Sequence, residues 1–185
     1  MSGKLQIITS LFDVRYFNSS STFKTSLGFM KTLFSGDKDS SALSEIFNYV
    51  PIDEQIATAG QPKAGQFNAI KAAGFTKIIN LAPHKAENAI EDEDKLVAGL
   101  GLEYVHIPVD FKNPTEADYQ KFVAELSQST GKTFVHCAAN MRVSAFMYRY
   151  RVGELKEDEV VVRRDMENIW KPFGVWEAFV NRAVG

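Results

Sequence analysis

An apolar run that ends in the only cysteine and is followed by a helical pattern is the feature that most constrains this fold. The run T-F-V-H leads into Cys137 with strand-forming residues. Apolar side chains then recur at helical spacing, at Val143, Phe146, Met147 and Tyr150. A helix is therefore expected to begin close to Arg142. The pattern predicts a strand, a loop and a helix, with the cysteine where the strand meets the loop.

The rest of the chain repeats this alternation of strands and helices. Short strands are predicted in A-T-A-G-Q-P, T-K-I-I-N-L-A and L-E-Y-V-H-I-P-V. Helices are predicted after Pro62, after Pro114, around 160–169 and through 175–180. Strands that alternate with helices favour an α/β fold, in which a mainly parallel central sheet is flanked by helices on both faces.

An acidic run at 91–94, which includes Glu93, leads a further helical pattern through Leu96 and Leu100. Negative charge near a helix N-terminus complements the helix dipole. Charge runs of this kind usually cover a solvated surface. We therefore expect all four carboxylates to face solvent.

The length of the chain predicts a single domain. Its 185 residues, 45% of them hydrophobic, can bury one sizeable core but are too few for two ordinary domains. Residues 41–185 are predicted to form this α/β domain. Residues 1–40 are rich in serine and threonine and are expected to form an extension that packs loosely or not at all. Two explanations of this extension are open: a start of translation at Met30, or a transit segment.

Composition excludes several classes of function. The 21 basic and 23 acidic residues supply no basic field that would attract nucleic acid or an anionic membrane. No stretch approaches the roughly 18 to 20 apolar residues of a membrane helix, so a soluble cytoplasmic protein is expected. The three histidines lack metal-ligand spacing and no glycine-rich nucleotide loop occurs, which predicts a site without a metal or cofactor.

The loop from Cys137 to Arg142 is suited to binding an oxyanion. A cysteine just before a helix N-terminus lies near N–H groups without a helical acceptor, and the helix dipole favours its thiolate. The guanidinium of Arg142 can bind two phosphoryl oxygens in a planar fork. A thiolate beneath a bound phosphate is placed for in-line attack. The amides that can converge on the phosphate belong to Ala138, Ala139, Asn140, Met141 and Arg142.

The stretch V-H-C-A-A-N-M-R-V-S resembles the signature loop of the cysteine-dependent protein tyrosine and dual-specificity phosphatases. The order of elements over residues 51–153 is similar to their small catalytic domain. T-A-G-Q-P, together with H-C and a downstream arginine, is most similar to a bacterial branch whose members are labelled both phosphatase and sulfurtransferase. The resemblance implies hydrolysis of a phosphorylated substrate through a phosphocysteine on Cys137, with Arg142 as oxyanion ligand.

The resemblance also implies a general acid that protonates the leaving oxygen. Asp110 follows V-H-I-P-V in the position similar to the general-acid loop of the family. Asp118 is the alternative candidate. Because Asp118 lies three residues after Thr115, it also fits a helix-capping pair, and we favour Asp110 as the acid.

Two more roles are implied by the resemblance. His136 corresponds to the family histidine that precedes the nucleophile, organises the loop and is counted here among the substrate-binding residues. A hydroxyl usually follows the arginine directly and assists the departure of the sulfur. Here Val143 intervenes, so Ser144 is the candidate for this role.

The loop departs from the family pattern in its length. Cys137 and Arg142 enclose four residues, whereas the common phosphatase loop has five. Asn140 stands where the family often has glycine, and asparagine tolerates positive φ better than most residues. The short loop leaves two other functions open. One is sulfur transfer through a Cys137 persulfide, since compact rhodanese-like loops also use one cysteine, and the other is oxyanion binding without catalysis.

Overall fold

The computed structural model describes residues 13–34 and 42–182. Their strands form one five-stranded sheet in the order β1-β2-β5-β3-β4. Strand β1 pairs antiparallel with β2, and all the other pairs are parallel, which confirms the predicted mainly parallel α/β sheet. The strands are β1 (Val50–Pro51), β2 (Ile56–Ala59), β3 (Phe75–Asn80), β4 (Glu103–His106) and β5 (Lys132–His136).

Helices flank both faces of this sheet. None of the helices in the described ranges is long and apolar enough to cross a membrane. The short helices Val14–Phe17 and Leu43–Glu45 are of the 3₁₀ type. The α-helices are α1 (Ser20–Phe34), α2 (Gln66–Ala72), α3 (Glu93–Gly99), α4 (Glu116–Ser127), α5 (Met141–Gly153), α6 (Glu159–Ile169) and α7 (Val175–Val180).

Neighbouring residues of the central strands enter two different cores. Ile79 and Val135 pack with residues of α4, α5, α6 and α7. Ile78 and Phe134 pack with residues of α2 and α3 on the other face. This division follows from the alternation of side chains along a strand. The same alternation determines which face of the sheet the side chains at the end of β5 and the start of the following loop occupy.

The predicted turn and cap residues take the expected conformations. Gly74 follows α2 with a φ of +86°. The Thr115 hydroxyl accepts a hydrogen bond from the Asp118 amide at 3.1 Å, and the Asp118 carboxylate accepts one from the Thr115 amide at 3.3 Å. Together these bonds form a capping box at the start of α4.

The expectation of a loosely packed extension over residues 1–40 is wrong for residues 13–34. Helix α1 packs against the domain, with Thr22 and Thr25 buried. The Thr25 hydroxyl donates to the carbonyl of Ile169 at 2.6 Å, at the end of α6 where carbonyls lack a helical donor. The Thr22 hydroxyl accepts a hydrogen bond from the Lys171 amide at 2.8 Å. The other residues of this extension, 1–12 and 35–40, lie outside the described residues.

Candidate active site

Three side chains predicted from separate parts of the sequence line a single cleft. Cys137 follows β5, Arg142 lies in the first turn of α5, and Asp110 lies in the loop after β4. The cleft has a volume of about 680 Å³, within the range of small-molecule sites. Cys137 is itself buried, and its side chain lines this cleft.

The turn after Cys137 is set by Asn140, which has a φ of +65° as expected for this position. Asn140 Nδ2 donates to the carbonyl of Asn48 at 2.8 Å and to Thr58 Oγ1 at 3.1 Å. These bonds stabilise a left-handed conformation that costs a non-glycine residue about 1 to 2 kcal/mol. The loop reverses at Asn140 because this side chain is fixed to two neighbouring segments.

Two carbonyls of the loop accept hydrogen bonds from residues outside the loop. The Ala138 carbonyl accepts hydrogen bonds from Asn88 Nδ2 at 2.9 Å and from the Gln61 amide at 3.3 Å. The Ala139 carbonyl accepts one from Asn48 Nδ2 at 3.1 Å. Because these carbonyls are engaged away from the cleft, they do not oppose an anion within it. Sequence reasoning missed Asn48 and Asn88, which no local pattern connects to the loop.

Arg142 is oriented by the loop that carries Asp110. Its Nε donates to the carbonyl of Val109 at 3.0 Å, and its guanidinium lies 5.1 Å from the ring centroid of Phe111. The Phe111 carbonyl in turn accepts a hydrogen bond from Trp176 Nε1 at 2.8 Å. The backbone on both sides of Asp110 is therefore held in place, and only the terminal nitrogens of Arg142 remain for an oxyanion.

The two candidate acids occupy different surroundings. Asp110 is exposed at the cleft, where its Oδ1 accepts a hydrogen bond from the Lys112 amide at 2.9 Å. Asp118 is engaged in the capping box with Thr115 and does not line the cleft. The geometry therefore favours Asp110.

Ser144 is placed less favourably than expected. Its hydroxyl donates to the carbonyl of Met141 at 3.0 Å and accepts a hydrogen bond from Trp170 Nε1 at 3.1 Å. The hydroxyl would have to rotate away from Met141 before it could donate to the sulfur of Cys137.

His136 and Asn140, both predicted to bind substrate, do not line the cleft. His136 is fully buried and contacts Phe67 of α2 edge-on, at a centroid distance of 6.1 Å. Strand alternation explains this placement, because His136 and Cys137 are adjacent and belong to opposite faces of the sheet. The assignment of His136 as a residue that touches substrate is therefore wrong. The contribution of Asn140 to the site is the backbone turn described above.

A buried carboxylate lies against His136, and sequence reasoning missed it. Glu93, expected at a solvated surface, is 3% exposed, and its Oε1 lies 3.1 Å from His136 Nε2. Asn80 Nδ2 and Tyr104 Oη donate to Oε1 at 2.9 and 3.0 Å, and Gln61 Nε2 donates to Oε2. The contact with His136 has the distance of an ion pair but not the angle of a hydrogen bond.

The surroundings of Glu93 keep it ionised. Burial alone raises the pKa of its carboxyl, but the electrostatic attraction of His136 and the hydrogen bonds from Gln61 and Tyr104 outweigh burial and lower the pKa to about 2. A signal for this burial is present in the sequence. Glu93 lies four residues before Val97, which is fully buried, so the two side chains share one face of α3.

Comparison with known proteins finds solved structures with the same fold. A DUF442 protein from Shewanella putrefaciens CN-32, provisionally described as a phosphatase, is 33% identical with a TM-score of 0.68, and the match spans 75% of this chain and 91% of that one. The catalytic core of the Saccharomyces cerevisiae PP-IP phosphatase Siw14 is 12% identical with a TM-score of 0.63, over 74% of this chain and 85% of that one. The second likeness shows the fold alone. No protein-family profile matches the chain.

Curated relatives carry another name. The "Beta-lactamase hydrolase-like protein" of Agrobacterium fabrum is 33% identical over 128 residues, which are 68% of this chain and 29% of the relative. Its namesake in Xylella fastidiosa is 34% identical over 116 residues, 60% of this chain and 27% of the relative. The chain therefore spans less than a third of the length of these relatives.

Proposed function

Because this chain belongs to the DUF442 family of the cysteine-dependent phosphatase superfamily, we propose that it hydrolyses phosphate monoesters through a phosphocysteine on Cys137. The observation that carries the proposal is the convergence of Cys137, Arg142 and Asp110 on one cleft. These residues come from a strand end, a helix start and a separate loop. A nucleophile, a cation and an acid around one space are the groups that this reaction requires.

The proposed reaction has two steps. The Cys137 thiolate attacks phosphorus, so that a sulfur–phosphorus bond forms while the phosphorus–oxygen bond to the leaving group breaks. The leaving oxygen takes the electron pair of that bond and a proton from Asp110. Water then attacks the phosphocysteine and gives a proton to the Asp110 carboxylate, which releases phosphate and restores the thiolate. The terminal nitrogens of Arg142 and the amides of the loop stabilise the charge on the phosphoryl oxygens.

Glu93 has a positioning role in this proposal. It holds the side chain of His136, the residue that immediately precedes Cys137. The His136 carbonyl accepts a hydrogen bond from the Leu81 amide at 2.8 Å. Glu93 thereby acts on the start of the loop from the opposite face of the sheet. It does not touch the cleft.

The test is hydrolysis of an aryl phosphate, followed by rapid acid quench and mass spectrometry of the protein. We expect one phosphoryl group on the peptide that contains Cys137 in the wild type and none in Cys137→Ser. Turnover that persists in Cys137→Ser would contradict the covalent mechanism.

Sulfur transfer is the second candidate, and the short loop favours it. Only four residues separate Cys137 from Arg142, which removes one amide from the cradle for a tetrahedral phosphoryl group. In this alternative the Cys137 thiolate attacks the outer sulfur of thiosulfate, a persulfide forms, and sulfite leaves with the electron pair of the broken bond. Sulfite release from thiosulfate, with no phosphate release from an aryl phosphate, would select this function. Binding of both anions without turnover would select a non-catalytic oxyanion module.

A further inference from the structure

The cleft over Cys137 has a wall that lies outside the segment predicted as the catalytic domain. Residues of the 3₁₀ turn Val14–Phe17 and of α1 line the cleft together with Arg142 and Phe111. We call this set, Tyr16, Ser26 and Phe29, the N-terminal wall. It contributes two aromatic rings and the hydroxyls of Tyr16 and Ser26 to the space above the nucleophile.

This wall is fixed to the site at several points. The Tyr16 ring packs edge-on against Phe173, with a centroid distance of 5.1 Å. The Thr25 hydroxyl accepts a hydrogen bond from Asn48 Nδ2 at 3.1 Å. Because the same Asn48 amide donates to the carbonyl of Ala139, one side chain joins α1 to the loop after Cys137. The wall therefore has a defined position relative to the loop that carries Cys137 and Arg142.

Ser26 provides a separate indication of a ligand. It is 6% exposed and lines the cleft, yet its hydroxyl has no hydrogen-bond partner among the residues that the structure describes. A buried hydroxyl without a partner is destabilising unless a ligand or water satisfies it. Phe29 follows three residues later on the same face of α1, so the hydroxyl and the aromatic ring face the same space.

The charges of the cleft favour a ligand with a single anionic group. Arg15 is paired with Asp13, and Lys85, Lys112, Glu87 and Asp110 also line the cleft, so its four cations outnumber its three carboxylates by one. Arg142 is the cation that shares a loop with Cys137. The rest of the lining is mainly apolar and includes the aromatic residues Tyr16, Phe29, Phe111, Phe173 and Trp176.

We infer that the N-terminal wall determines specificity and that the site takes a compact phosphate monoester whose body is apolar. The substrate class in this inference rests on the proposed hydrolysis. One oxyanion would lie between Cys137 and Arg142, and the apolar body would contact Tyr16 and Phe29. Ser26 would donate its free hydroxyl to the bound ester. A polyphosphorylated ring would meet three carboxylates as well as four cations in this cleft.

Turnover of 1-naphthyl phosphate and of O-phosphoserine by the full chain tests this inference. The wild type should have the higher kcat/KM for 1-naphthyl phosphate. Tyr16→Ala and Phe29→Ala should lower that value about 10-fold or more, and change the value for O-phosphoserine less than about 2-fold. Ser26→Ala should weaken binding of 1-naphthyl phosphate by about 3- to 10-fold without lowering Tm, because no bond within the protein is lost.

Phe17→Ala and Phe23→Ala are the matched controls. Both rings lie on the same segment, contact each other at a centroid distance of 5.4 Å, are exposed and do not line the cleft. Neither control should alter kcat/KM for either ester. An equal loss on both esters in the wall variants, or an equal loss in the controls, would overturn the inference. So would a wild-type preference for O-phosphoserine, inositol hexakisphosphate or a phosphopeptide.

Calorimetric titration of Cys137→Ser separates this inference from the proposed hydrolysis. In one outcome the wild type hydrolyses neither ester, 1-naphthyl phosphate binds more tightly than inorganic phosphate, and Tyr16→Ala removes the difference. This outcome supports the role of the N-terminal wall and contradicts the proposed hydrolysis. If hydrolysis occurs without any preference for the apolar ester, the wall fails and hydrolysis stands.

Discussion

Replacement of Glu93 by glutamine tests the buried network beneath the loop. Glutamine keeps the shape of the side chain and removes its charge. Gln61, Asn80 and Tyr104 all direct donors at the two oxygens of Glu93. The new amide nitrogen, itself a donor, must therefore face a donor where the carboxylate oxygen accepted a hydrogen bond. His136 also loses the negative charge that lies 3.1 Å from its Nε2.

The pKa of Glu93 sets the size of the effect. Its pKa falls from the ordinary value of 4.5 to about 2 in the folded protein. At 1.36 kcal/mol per pKa unit, ionised Glu93 contributes about 3 kcal/mol to the free energy of unfolding. Because the folded pKa is the lower one, this contribution is complete above about pH 5 and disappears as the pH falls towards 2.

Urea unfolding at two pH values measures this contribution. We expect Glu93→Gln to lower the free energy of unfolding by about 3 kcal/mol near pH 6, and its deficit to shrink by about 1.4 kcal/mol near pH 3.5. Glu91→Gln is the matched control from the same acidic run, since Glu91 is exposed, and it should change stability by less than about 0.5 kcal/mol. A deficit of the same size at both pH values would refute an ionised, paired Glu93.

Substitutions at Cys137, Asp110, Asp118 and Asn140 test the loop and the acid. Cys137→Ser should abolish turnover and retain binding of inorganic phosphate in a calorimetric titration, because the cradle consists of backbone amides and Arg142. Asp110→Asn should slow esters with poor leaving groups by about 100- to 10,000-fold and activated esters much less, whereas Asp118→Asn should chiefly cost about 1 kcal/mol of stability in urea unfolding. The reverse outcome would reassign the acid to Asp118. Asn140→Ala should cost roughly 2 to 4 kcal/mol of stability, and Asn140→Gly less, because glycine keeps the positive φ.

Local signals in the sequence were sufficient for the strand, loop and helix around the cysteine. The positive φ of Asn140 and the capping box of Thr115 and Asp118 depend on residues within a few positions of each other. The mainly parallel character of the sheet follows from the alternation of strands and helices, whereas the strand order is seen only in the structure. Each of these features could be predicted because short-range chemistry determines it.

The features that sequence analysis missed depend on long-range contacts. Thr25 bonds to Ile169, 144 positions away, and through Asn48 it reaches the loop after Cys137. A serine- and threonine-rich segment has no apolar periodicity that would reveal such bonds. His136 is different, because its neighbour in the sequence is Cys137 itself. Side chains alternate along a strand, so the His136 ring lies on the opposite face of the sheet from Cys137.

The shorter loop also changes how an oxyanion can be held. With four residues between Cys137 and Arg142, fewer amides can converge on the anion than in the common loop. Arg142 Nε donates a hydrogen bond to the Val109 carbonyl, so only the two terminal nitrogens of Arg142 can bind an anion. The fork that remains is still planar and can bind two oxygens. The loss of one amide therefore places more of the charge stabilisation on Arg142, and its orientation depends on the same loop that presents Asp110. In the proposed mechanism, anion binding and proton donation are therefore coupled through Val109 and Phe111.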